Sequence, residues 1–118
     1  MNTEFRPRLN GYSPWGQIDH LSTIADGIVS VVTASHGGIW LSPERRTQLA
    51  ERSPELLRAV EGRAYCAKPM WWEEDCEAAL VLIAFWDELP AAMRRDAYYA
   101  DLVRSANRTY DLTLSEAA

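Results

Sequence analysis

The chain has 118 residues, a length that suits one domain around one core. Hydrophobic residues make up 47% and charged residues 25%, which excludes a disordered chain. The net charge is −5, from 17 acidic and 12 basic side chains, and Lys68 is the single lysine, so duplex nucleic acid is not an expected direct ligand.

Five Trp and five Tyr supply apolar area enough for a core without disulfides or a structural metal. Cys66 and Cys76 make no disulfide framework, and residues 1–10 do not read as a signal peptide. The longest apolar run, residues 78–86, is about half of what a bilayer requires. A cytoplasmic protein with free thiols and no membrane partner is expected.

Residues 1–16 are broken by Gly11, Pro14 and Gly16 and read as a loop pinned by Tyr12 and Trp15. From Gln17 the residues alternate, with Ile18, His20 and Ser22 on one side and Asp19, Leu21 and Thr23 on the other. Asp26-Gly27 is a turn signal. Residues 28–34, Ile-Val-Ser-Val-Val-Thr-Ala, form the strongest β segment. A second turn at Ser35-His36-Gly37-Gly38, its glycines supplying positive φ, leads into a short strand over residues 39–41. The expectation is a three-stranded antiparallel meander.

Ser42-Pro43-Glu44 is a helix start: a hydroxyl to cap, a Pro with no N–H to waste, and an acid at the positive end of the dipole. The device repeats at Ser53-Pro54-Glu55, predicting helices over residues 43–52 and 54–61, the second stopped by Gly62. Residues 63–70 leave open a short strand around Ala64-Tyr65-Cys66, ended by Pro69. Glu73, Glu74, Asp75 and Glu77 then open a helix that continues through residues 78–86. A helix apolar on every side is buried, so this is the expected central element. Asp87 and Glu88 either pair with Arg94 or Arg95 or end that helix. A last helix spans residue 91 to about 107, and the tail 109–118 either frays or alternates as Tyr110, Leu112 and Leu114. The fold class is α+β: one domain over residues 1–118, its N-terminal meander packed against three or four helices, one central and largely buried.

Gly11-Tyr12-Ser13-Pro14-Trp15-Gly16, Gly27-Ile28-Val29-Ser30-Val31, Ser35-His36-Gly37-Gly38-Ile39-Trp40-Leu41-Ser42 and Trp72-Glu73-Glu74-Asp75-Cys76 carry a resemblance. In their order and spacing the chain resembles an uncharacterised family of small domains encoded on bacterial plasmids, prophages and other mobile elements. The likeness runs over roughly residues 11–86. It implies a genomic setting and no chemistry. Many small acidic proteins from such elements disable host defence machinery, anti-CRISPR proteins among them.

Several groupings could carry function. His36 before two glycines presents an imidazole where a backbone can approach a ligand, yet the same residues serve a tight hairpin with His36 bonded locally. Cys76, His36 and one of Glu73, Glu74 or Asp75 are the residue types of a Cys-His-acid nucleophile. The surrounding acids oppose a thiolate, and a core-filling Cys76 is the plainer reading. His20, His36, Cys66, Cys76 and the acids of residues 73–77 lack metal-ligand spacing, so no metal and no cofactor are expected. Gly37-Gly38 precedes a strand and not a helix, so it is no phosphate loop.

Trp71 and Trp72, read as adjacent helical positions ~100° apart, cannot both enter one small core. One ring left beside Glu73, Glu74 and Glu77 suits a basic partner surface, while the pair capping the helix against the Tyr12–Trp15 loop is the structural alternative. The candidate contact residues are Trp71, Trp72, Glu73, Glu74 and Glu77, and the candidate functional turn is His36, Gly37 and Gly38. With the resemblance, these suggest a non-enzymatic protein-binding module of a mobile genetic element. It would inhibit a host defence complex, protein or ribonucleoprotein, by occupying a basic surface. A small cysteine/histidine-dependent enzyme is the alternative, and a homodimer stays open.

Overall fold

The structure, a computed structural model, describes residues 6–61, 70–74 and 77–118. The N-terminal segment is a hairpin, with β1 (Tyr12–Ser13) antiparallel to β2 (Gly16–Gln17). The Ser13 hydroxyl accepts from Trp15 N (3.1 Å) and donates to Gly16 O (3.0 Å), and Gly16 takes φ 124° to close the turn. Of the two rings expected to pin the segment, Trp15 is half-buried and Tyr12 stands exposed.

The main sheet contains β3 (His20–Ala25), β4 (Ile28–Val32), β5 (Gly37–Leu41) and β6 (Trp71–Glu73), in that order and all antiparallel. The sequence-derived meander is its first three strands; the fourth is a correction. Residues 71–73 do not open a helix, because two adjacent indoles suit a pleated strand that sends them to opposite faces. Trp72 pairs with Ile39 and enters the core beneath the helices. Trp71 pairs with Trp40 and joins Ile18, Val29, Val31 and Trp15 on the other face. A single strand thus sends one indole to each of two cores, Trp72 buried and Trp71 half-buried.

The predicted glycine conformation is also corrected. Among the described residues, Gly16 and Gly27 are the glycines at positive φ. Gly37 and Gly38 are extended strand residues, required by close approach. A Cβ on Gly37 would lie 2.8 Å from Val31 O, and one on Gly38 would run into Trp72 O and the Trp15 ring. The turn consequently ends at His36.

Helix α1 (Pro43–Arg52) starts as its sequence predicts, with the Ser42 hydroxyl accepting from Arg45 N at 3.2 Å. Helix α2 (Pro54–Glu61) follows directly. The apolar run makes α3 (Ala78–Ala84), and its last residues turn into a 3-10 segment, Trp86–Glu88. This swings Asp87 and Glu88 toward α1, where they pair with Arg52 and, for Glu88, Arg45 as well, in place of Arg94 or Arg95. After a second 3-10 turn, Ala91–Met93, α4 (Asp96–Tyr110) packs chiefly on α3. The tail is held: Asn107 donates to Leu114 O (3.1 Å) and accepts from Leu114 N (2.9 Å), and Leu112 and Leu114 rest on the core. The expected strand around Ala64 to Cys66 lies outside the described residues.

Candidate functional site

The Ser-His-Gly-Gly turn is organised by Thr33. Its N–H donates to His36 O (2.7 Å), its hydroxyl donates to the same oxygen (2.7 Å), and His36 N donates to that hydroxyl (3.1 Å). These bonds hold the imidazole over the end of β6, with Nδ1 3.0 Å from Ser35 O and Nε2 3.1 Å from Glu73 Oε2. The His36–Glu73 contact is an ion pair only when the ring is protonated. Trp71 lies on the same sheet face, its ring edge-on to Trp15 at 5.7 Å between centroids.

Strand alternation separates the five predicted contact residues. Trp72 is 1% exposed and Glu77 5%, so both lie inside the domain. Glu77 bonds within the fold, its Oε1 accepting from Glu73 N at 3.1 Å. Trp71 is half-buried, and Glu73 engages His36. Glu74 alone of the five is exposed, and it projects to the helix side of the sheet. The expected aromatic-acidic patch is therefore not one continuous surface. Cys76 and Asp75 lie outside the described residues, so the Cys-His-acid grouping is not on view.

What Glu74 joins is a groove of about 400 Å³ between the sheet, α3 and α4. Its walls are apolar, with Ile24, Val32, Ile39, Leu82, Met93 and Leu102, and small residues line it too: Gly37 on the sheet, whose Cβ position lies 3.3 Å from Glu74 Oε2, and Ala78 and Ala79 on α3. Hydroxyls enter from Ser30 and Ser105, and carboxylates from Glu74 and Asp101. Tyr98 also lines it, and burial raises its phenol above the ordinary tyrosine pKa, with nearby Arg95 acting in the lowering direction. The phenol is thus a neutral hydrogen-bonding group at physiological pH. Asp101 shares Arg104 (3.0 Å) with Glu116, whereas among the described residues no cation pairs with Glu74.

An apolar enclosure of this size with a few convergent polar groups is the common form of a binding pocket. The two carboxylates differ in what they can do: Asp101 already holds Arg104, whereas Glu74, with no cation paired to it among the described residues, can meet an amine or guanidinium. Sequence reading missed the α4 wall, although Tyr98, Asp101, Leu102 and Ser105 follow the i, i+3, i+4, i+7 spacing of one helix face. Among the described residues, no group of three or more His, Cys, Asp or Glu side chains is placed to hold a metal, and no helix is long and apolar enough to cross a membrane.

Fold and groove together define a small α+β domain whose sheet is closed on one face by a tryptophan hairpin and on the other by helices around a ligand-sized recess. The chain belongs to the family described as a domain of unknown function (DUF7007), which it matches over residues 8–117. No curated protein and no solved structure matches it.

Proposed function

We propose that the domain is a non-enzymatic protein-binding module that takes a basic, amphipathic segment of a partner into the groove beneath α4. An apolar side chain of the partner fills the space between Gly37, Ala78 and Ala79, while Lys or Arg meets Glu74 and Asp101. The observation that carries this reading is the groove itself: ligand-sized, apolar within and acidic at its rim. The chain's net charge of −5 favours encounter with a basic surface. The resemblance to mobile-element domains supports a host partner, and inhibition of a host defence complex is the sharpest form of the proposal.

The enzymatic alternative centres on His36. Both of its ring nitrogens already face oxygens of the protein, at 3.0 and 3.1 Å, so acting as a base requires giving up one contact. That favours a positioning role for the ring.

The test is affinity capture from a bacterial lysate with three baits: wild type, Glu74→Arg/Asp101→Arg, and His36→Ala. The expected result is a basic protein retained by wild type and His36→Ala, and lost at least ~10-fold with the double reversal, equal to ~1.4 kcal/mol. Retention by the double reversal equal to wild type would rule the groove out.

A further inference from the structure

We propose that two copies of the chain pair edge to edge through β3, antiparallel about a two-fold axis at Ser22, to make one eight-stranded sheet. β3 is an edge of the main sheet, and among the described residues no strand lies beyond it. Residues 20–23 are all exposed.

The direction of the backbone groups follows from the ladder. Thr33 N donates to His36 O at 2.7 Å, which marks the Thr33–His36 position as a hydrogen-bonded pair between β4 and β5. Such pairs alternate in an antiparallel ladder, so Val31 and Val29 also face β5, and Val32 and Ser30 face β3. Opposite them are His20 and Ser22. The N–H and C=O groups of Leu21 and Thr23 are therefore the ones directed out of the sheet.

Exposed edges are normally defended by charged residues, Pro, bulges or a covering element. The strand His20-Leu21-Ser22-Thr23-Ile24-Ala25 carries no Asp, Glu, Lys, Arg or Pro, and its one irregularity falls at the far end, between Thr23 and Ala25. Nothing in the strand's own residues opposes a second copy at this edge. With the axis at Ser22, Leu21 of each chain stands opposite Thr23 of the other, and the outward groups of those two residues make four N–H···O bonds. Ser22 meets Ser22, and no like charges oppose each other across residues 20–24. Leu21 and Val32, 39% and 44% exposed, flank the seam on its two faces. A seam this short buries less than the ~1,200 Å² of a standard stable interface, so the dimer is a weak one whose population rises with concentration.

The test is sedimentation velocity of the full chain over a concentration series. Wild type is expected to shift from monomer to dimer as concentration rises. Ser22→Asp and Ser22→Lys, each placing like charges together at the axis, are expected to be monomeric alone and to dimerise when mixed in equal amounts. Recovery in the mixture shows that both variants fold. Thr23→Pro removes an outward N–H that the β3–β4 ladder does not use and is expected to be monomeric with its thermal transition retained. A wild type monomeric throughout, a dimer indifferent to charge at residue 22, or single variants that do not recover on mixing would each overturn the proposal.

Discussion

Adding a methyl group at Gly38 drives it into the Trp72 carbonyl and the Trp15 ring, and neither has somewhere to go, since one is ladder backbone and the other is packed against Trp71. Gly38→Ala is expected to destabilise the domain by about 3 kcal/mol, at the upper end of overpacking costs, measured by urea unfolding. Trp72→Ala, which empties a fully packed core position, is expected to cost ~3–5 kcal/mol. Glu74→Arg, on the surface, is expected to stay within ~0.5 kcal/mol of wild type. The difference matters for function: a Trp72 variant that loses partner binding reports on folding, while a Glu74 variant reports on contact. Tyr98 adds a pH dependence. Burial raises its pKa above the ordinary tyrosine value of 10.0, against Arg95, so the folded chain holds the phenolic proton more tightly than the unfolded chain. The stability this contributes is complete below pH 10 and is lost as the pH rises through the folded value. Tyr98→Phe is expected to show a shallower alkaline fall in thermal midpoint; an unchanged fall would assign the loss to other groups.

Between elements, α1 is tied to the turn after α3 by charge laid over an aromatic ring. Arg45 and Arg52 sit 5.2 and 5.0 Å from the Phe85 centroid, and Glu88 bonds to both guanidinium groups. Asp87 reaches Arg52 alone and is far more exposed. Glu88→Gln is therefore expected to lower stability by ~1–2 kcal/mol and Asp87→Asn by less than ~0.5 kcal/mol, both read from denaturant midpoints. These contacts also show where sequence reading stops. The cap Ser42-Pro43, the turn Asp26-Gly27 and the β-branched run of β4 are local devices, and each appears in the fold where the residues place it. The role of Trp71 to Glu73 was not legible, because acids before an apolar run have the composition of a helix start. Only pairing with β5, more than 30 residues away in the chain, makes them a strand. The same long-range pairing explains Gly37 and Gly38, whose neighbours are Val31 O and Trp72 O and not their own turn.

At the scale of the whole molecule, the sheet separates two environments that the sequence presents side by side. His36, Glu73 and Trp71 belong to the end of β6 and the hairpin face, while Glu74 and the α4 residues enclose the groove. Glu74 was identifiable as an exposed acid, but its partners in the groove come from α4 and the small residues of α3, brought there by helix packing. The proposed entry of ligands between the sheet and α4 is tested by an amide and methyl NMR titration of the labelled chain with an acetylated, amidated peptide of alternating Leu and Lys. Saturable shifts are expected at Ile24, Ser30, Gly37, Leu82, Leu102 and Ser105, abolished in Glu74→Arg/Asp101→Arg. Shifts centred instead on Trp15, His36 and Trp71, or shifts equal in the double variant, would contradict it.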